Sequence, residues 1–309
     1  MTKLIGIARV KNEADFIEYF ARHNFKILDE LYIVDDQSSD NTSEIINLLR
    51  QEGMAIELLH INDRNARLFN LQGQVMTQLM LHAAAKQGTK ESYIFALDAD
   101  EIILGNREEI IIKLRALAPD EYGLIKWRTF APLNGGLTTS EPVHSFFKPL
   151  LTEQRIFYKA TVPIQHSDIA TITMGNHDIR CEAAKLKPKK LNIELGHFPV
   201  RSADQIISKA LVATHKTYLK KAAETGENYH IIALADHLRK LDYKPTELEL
   251  TDMALNYLAL GSRGEIDYDF NMEAAFPPIT PSHKSKRINP IRALDELLRD
   301  IINNESGID

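Results

Sequence analysis

The strongest constraint on this chain is an alternation that fills its first hundred residues. Short apolar runs take turns with amphipathic stretches of helical period. Leu4-Ile5-Gly6-Ile7-Ala8, Leu31-Tyr32-Ile33-Val34, Ile56 to Leu59 and Tyr93-Ile94-Phe95-Ala96-Leu97 are too short for helices and read as buried strands. Between them, Phe16, Ile17 and Phe20, then Ile45, Ile46, Leu48 and Leu49, then Gln72 to Ala85, carry helical spacing, and Asn12 is expected to cap the first helix. This alternation predicts an α/β class with a mostly parallel sheet flanked by helices on both faces. Ligands of such sheets bind at the carboxyl ends of the strands. Two acidic clusters fall there: Asp35-Asp36 after the second run and Asp98-Ala99-Asp100-Glu101 after the fourth.

The pattern changes near Gly123. Pro132, Asn134-Gly135-Gly136, Pro142 and Pro149 predict loops with several short strands. Ser202-Ala203-Asp204-Gln205 has the form of a capping box and opens a long helix through Ile206, Ala210 and Tyr218. More helical text runs from Leu234 to Leu260, and Phe276 to Pro281 connects to a last helix near 291–302. The expected division is 1–130, 131–201 and a mainly helical C-terminal region at 202–309. One cysteine, Cys181, excludes a disulfide framework, and no apolar run reaches the ~20 residues that cross a bilayer. The start lacks a signal-peptide pattern, so a cytoplasmic location is expected. The net charge of −6 argues against bulk nucleic acid. It splits into −5, +4 and −5 over 1–130, 131–230 and 231–309, which leaves a basic middle. Lys185, Lys187, Lys189 and Lys190 suit an acidic acceptor or anionic lipids, the latter giving peripheral contact at the inner face of the membrane. The oligomeric state is left open.

Two carboxylates one small residue apart, directly after a buried strand, are placed to hold Mg²⁺ or Mn²⁺ beside a substrate phosphate. Asp98 and Asp100 would flank the ion. Asp35 or Asp36 can accept hydrogen bonds from a nucleoside, while Asp40 reads as a helix cap. Charge building on a phosphate leaving group would be stabilised by such a cation, with Lys11, Arg64 and Arg67 as basic helpers. A competing reading comes from Gly175-Asn176-His177-Asp178, which matches one block of calcineurin-like metallophosphoesterases. A hydrolase would then use Asp98, Asp100, His177 and His197, but the other blocks of that family are missing. A receiver-like binding module is the third reading, and the long second half makes it awkward.

Ala8-Arg9-Val10-Lys11-Asn12-Glu13, Ile33-Val34-Asp35-Asp36-Gln37-Ser38-Ser39-Asp40-Asn41-Thr42 and Leu97-Asp98-Ala99-Asp100-Glu101 together resemble family 2 glycosyltransferases of the GT-A (Rossmann-like) fold. Gly196-His197-Phe198-Pro199-Val200-Arg201-Ser202 is similar to the branch with an Asp-Ala-Asp-Glu motif and a later His-x-x-x-Arg-Ser. The resemblance implies a nucleotide diphosphate sugar donor (UDP-linked by preference), a Mn²⁺ or Mg²⁺ cofactor, and inverting transfer to a glycan, lipid-linked or small-molecule acceptor. It also implies that Ala8, Arg9, Asn12 and Glu13 line the nucleobase pocket and that Asp35 or Asp36 contacts the nucleoside. Arg67 and Gln74 would approach the donor, Asp98 would meet ribose and metal, and Asp100 and His197 would complete the metal shell. An inverting transfer needs a base on the acceptor hydroxyl. Asp178 is the candidate, with Asp168 and Glu194 competing and His166 and His177 available to orient the acceptor.

Overall fold

The structure, a computed structural model, describes residues 2–60, 72–87, 91–133, 136, 142–153, 155–182, 185–219, 229–257, 264–286, 288–295 and 298. In chain order the first half runs β1 (Lys3–Val10), α1 (Ile17–Asn24), β2 (Glu30–Asp35), α2 (Thr42–Gln51), β3 (Ile56–His60), α3 (Gln72–Ala85), β4 (Ser92–Asp98), β5 (Glu101–Leu104) and α4 (Arg107–Arg115). Then follow β6 (Glu121–Pro132), β7 (Phe147–Pro149), β8 (Tyr158–Pro163), β9 (Thr171–Ile172), β10 (Ile179–Arg180) and β11 (Lys187–His197). The chain continues through α5 (Ala203–Leu219), α6 (Tyr229–Lys240), α7 (Glu247–Leu255) and α8 (Met272–Ala275).

The expected α/β layering is observed. β3, β2, β1 and β4 lie side by side and parallel, and the main sheet continues through β8, β6, β11 and β5. β8 runs antiparallel to β4 and β6, and β5 antiparallel to β11. Period-2 alternation sorts the side chains. Leu4, Ala8, Val10, Ile33, Phe95 and Leu97 pack with Phe16, Phe20, Ile45, Leu49 and Ile110 of the helices on one face. Ile5, Ile7, Tyr32, Val34, Ile94 and Ala96 meet Met76, Leu79, Met80 and Ala83 of α3 on the other. A third core joins Val200, Ile206, Ile207 and Ala210 to Leu234, Leu238, Leu250 and Met253.

The region after 123 is more regular than its prolines suggest. β6 spans twelve residues and runs through position 130, and β11 spans eleven, so both halves share one sheet. The basic run 185–190 enters β11, where Lys187 pairs with Asp120 at 2.7 Å, Lys189 with Glu121 at 3.1 Å, and Lys190 lies over the Tyr158 ring. The helical text after 234 breaks at Asp242 and Tyr243, both in the left-handed region. Asn12, also at positive φ (58°), does not cap α1, whose first turn follows Phe16.

Two residues link β4 to β5, yet β8, β6 and β11 lie between them in the sheet. Four strand spacings of ~4.8 Å span about 19 Å on a flat sheet, whereas three Cα–Cα steps of 3.8 Å reach about 11 Å. The sheet must therefore curl. The register shift in β11 between Leu191 and Glu194 is a bulge of the kind that bends strands. The curl folds the end of β11 back onto the β4–β5 turn: His197 stands opposite Glu101, and the Phe198 amide donates to the Asp100 carbonyl at 2.9 Å. Asn24, at the end of α1, closes the outer edge of β5 by donating to the Glu101 carbonyl and accepting from the Ile103 amide, both at 2.9 Å.

Candidate active site

The parallel half sets the ends of β1, β2 and β4 together, with Arg9 in register with Asp98 and Val10 with Asp35. The β1–α1 and β2–α2 loops are laced to each other. The Asn12 side-chain oxygen accepts from the Ser39 amide at 2.7 Å, Ser38 Oγ accepts from the Asn12 amide at 2.9 Å, and Thr42 Oγ1 accepts from the Glu13 amide at 2.9 Å. Asp35 is spent inside its own turn, accepting from the Ser38 amide and hydroxyl and from the Ser43 hydroxyl. Asp36 is buried. One oxygen takes Arg9 at 2.7 Å, while its Oδ1 has no partner, and Lys11 donates to its carbonyl at 3.0 Å. Of the two acids, Asp36 is the one with an acceptor atom to offer a nucleoside.

At the β4–β5 turn, Asp98 Oδ1 accepts from Asn176 at 2.9 Å and Gln72 at 3.3 Å, and its Oδ2 pairs with Lys159. Lys159 also holds Glu101 at 3.1 Å and the Gly175 carbonyl at 2.8 Å. Asp100 is sealed. Its Oδ2 lies 3.3 Å from Lys209 Nζ, 3.8 Å from His197 Nε2 and 3.8 Å from Arg201 Nη1. Arg201, fully buried, reaches across to Asp15 at 2.9 Å and to Glu13, tying the β1–α1 loop to Asp100. His197 stacks on Trp127 at 4.3 Å, and its Nδ1 has no partner.

Five carboxylates (Glu13, Asp15, Asp98, Asp100, Glu101) thus face three permanent cations (Lys159, Arg201, Lys209). The titration follows from that imbalance. Burial pushes Glu101 up to about 8 against the pull of Lys159, with repulsion from Asp98 and Asp100 adding to it. Burial also pushes Glu13 up to about 8, opposed by Arg201 and reinforced by Asp100 and Asp15. Burial acts on Asp100 in the same sense, but Lys209, His197, Arg201 and Lys159 outweigh it and hold the carboxyl well below the usual range. Burial drives His197 down to about 3, so its ring is neutral and available as a ligand.

Among the described residues no three His, Cys, Asp or Glu side chains converge as a ready cation cluster. Asp100 and His197 do approach each other, and Asp98 stands beside them on Lys159. The pair still fits a hard divalent cation, which takes one or two carboxylates and leaves its other positions to phosphate and water. The excess of two negative charges equals that of one such ion.

Other predicted residues fall elsewhere. Ala8 is fully buried in the sheet core, because the alternation that turns Arg9 to the site turns Ala8 away. Gln74 is exposed on α3, and Gln72 is the glutamine that meets Asp98. Arg64 and Arg67 lie outside the described residues. Asp178 accepts from the Tyr122 hydroxyl and the Ile179 amide within the β9–β10 hairpin, and none of its bonds leads to Asp98, Asp100 or His197. Asp168 is exposed. His177 bonds the Tyr158 carbonyl and packs on Trp127 and Phe157, which does not favour a phosphoesterase centre shared with Asp98. Sequence reasoning missed Lys159, Asn176 and Lys209. For Lys209 a signal existed: Arg201, just ahead of α5, and Gln205 and Lys209 on it recur at intervals of four.

No family model and no curated protein matches the chain. Solved structures with a similar arrangement include the mannosyltransferase PcManGT from Pyrobaculum calidifontis in complex with GDP-Man and Mn²⁺ (14% identity, TM-score 0.40, 84% of this chain and 76% of that one). Others are the bifunctional glycosyltransferase WbbM (11%, 0.26, 40% and 23%) and a 4-diphosphocytidyl-2C-methyl-D-erythritol synthase from Anaerococcus prevotii (8%, 0.28, 53% and 71%).

Proposed function

We propose that this chain is a divalent-cation-dependent glycosyltransferase of the GT-A type, moving a sugar with inversion from a nucleoside diphosphate donor to a glycan, lipid-linked or small-molecule acceptor. The observation that supports it is the buried Asp100–His197 pair at the β4–β5 turn, beside Asp98 and next to the paired loops that carry Arg9 and Asp36. In this reading Arg9, Lys11, Asn12 and Asp36 hold the nucleoside, and Asp98, Asp100 and His197 hold Mn²⁺ or Mg²⁺. Bound there, the ion would neutralise charge on the departing diphosphate. Arg201 fixes the β1–α1 loop relative to Asp100, so nucleoside and diphosphate sites keep their spacing.

The test is a panel of UDP- and GDP-sugars with Mn²⁺, scored by mass spectrometry for release of one nucleoside diphosphate. Trp127, the single tryptophan, reports binding through its stack on His197. We expect Mn²⁺ to quench its emission and Asp100→Asn to abolish both quenching and donor cleavage. Metal-free nucleotide binding of unchanged strength in that variant would refute the reading. Turnover of p-nitrophenyl phosphate without sugar-nucleotide cleavage would do the same.

A further inference from the structure

The three permanent cations of the site are not equivalent. The Lys159 and Arg201 side chains are 2% and 0% exposed, and each already holds two carboxylates: Asp98 and Glu101 for the lysine, Glu13 and Asp15 for the arginine. Neither has reach or charge to spare. Lys209 differs on both counts. Its side chain is 33% exposed, and among the described residues its one carboxylate partner within 4 Å is Asp100, at 3.3 Å. It projects from the second turn of α5, one side lying over the Tyr257 ring at 5.5 Å, and Tyr257 itself meets the edge of His197 at 5.9 Å. Asp98, on the other side of the β4–β5 turn, is 32% exposed.

A flexible ammonium beside a carboxylate offered to a metal works against that metal, since the two cations repel across one anion. The arrangement makes chemical sense when an anion enters between them. We infer that Lys209 is the protein's own phosphate-binding cation: it moves from Asp100 onto the diphosphate of the donor as Asp100 turns to the divalent ion. This rests on the nucleoside diphosphate reading above and adds to it a residue and an exchange of partners. Lys209 thus acts as a placeholder for the metal in the empty protein and as its co-ligand on phosphate in the loaded one. Its four-carbon stem allows the shift, whereas the Arg201 fork, pinned on Glu13 and Asp15, cannot make it.

The exchange predicts effects of opposite sign, which a merely structural lysine would not give. Calorimetric titrations of the full chain with Mn²⁺ alone, then with UDP or GDP in saturating Mn²⁺, compare the unaltered protein with Lys209→Met and Lys209→Arg. For Lys209→Met we expect Mn²⁺ alone to bind as tightly or more tightly, because a repelling charge is gone. The nucleoside diphosphate should lose about 10- to 100-fold in affinity, the worth of a charge-assisted contact. UMP or GMP should lose less, and Lys209→Arg should stay within a few-fold of the unaltered protein. Parallel loss of Mn²⁺ and diphosphate binding in a folded Lys209→Met protein overturns the inference, as does unchanged diphosphate affinity. Lys209→Gln repeats the test if the methionine variant misfolds. Should the unaltered protein bind neither UDP nor GDP with Mn²⁺, the parent reading falls and takes this one with it. Binding that ignores Lys209 removes the inference alone.

Discussion

Replacing Asn24 by leucine tests how the β4–β5 turn is held. Asn24 is fully buried and supplies one side-chain amide to the outer edge of β5, donating to the Glu101 carbonyl and accepting from the Ile103 amide, each at 2.9 Å. It thereby does for β5 what a neighbouring strand would do. Leucine keeps the volume and removes both bonds, so two buried main-chain groups lose their partner at about 1–2 kcal/mol each. The total of roughly 2–4 kcal/mol should appear as local opening. At about 1.4 kcal/mol per tenfold, protection of the Ile103 amide against hydrogen exchange should fall by about 30- to 1,000-fold, with β2 amides unchanged. Mn²⁺ affinity should fall with it, since Asp100 and Glu101 are carried by that edge. Unaltered Ile103 protection would refute the reasoning. Equal loss across all strands would show that Asn24 serves the whole core rather than β5.

His23 lies buried against Phe276, and burial, with repulsion from Lys26 and His144, pushes it down to about 3. The folded state keeps it neutral while the unfolded chain takes up a proton below about pH 6.5, so its contribution is constant above that pH. It is lost as pH falls toward 3, by up to about 1.4 kcal/mol per pH unit. Urea midpoints between pH 7 and 4 should show that slope, and His23→Phe should flatten it. Gly175 sits at φ 73°, and a Cβ there would lie 2.6 Å from the His177 ring. Gly175→Ala should cost about 1–3 kcal/mol in urea unfolding. It should also weaken Mn²⁺ binding, because the Gly175 carbonyl steadies Lys159 beneath Asp98.

The C-terminal segment returns to the nucleotide half. Glu18 accepts from the Ser282 and His283 amides at 2.8 and 3.0 Å, and Asn41 brackets Lys284 and Lys286 through their main chain. The tail lysines therefore run along α1 and α2, and Lys286 faces Glu44 at 3.6 Å. Among the described residues no helix is long and apolar enough to cross a membrane.

Local pattern alone determined the parallel half. β1 to β4 and the three helices between them follow from apolar runs and helical spacing, because these elements bury one face or stripe each. The acids at the strand ends were legible for the same reason, since a parallel sheet presents all those ends on one side. Tertiary structure decided what surrounds them. Lys159 comes from an antiparallel strand, His197 from a strand brought round by the curl, Arg201 from the segment after it and Lys209 from the helix beyond. Their meeting depends on a sheet that curls back toward the β4–β5 turn, and no spacing in the chain encodes that distance. The side chains sorted themselves by the same rule: Asp35 and Asp36 are adjacent in sequence and equally acidic, yet one is consumed by its own turn. The other, one residue past the end of β2, turns to Arg9 and keeps a buried oxygen unpaired.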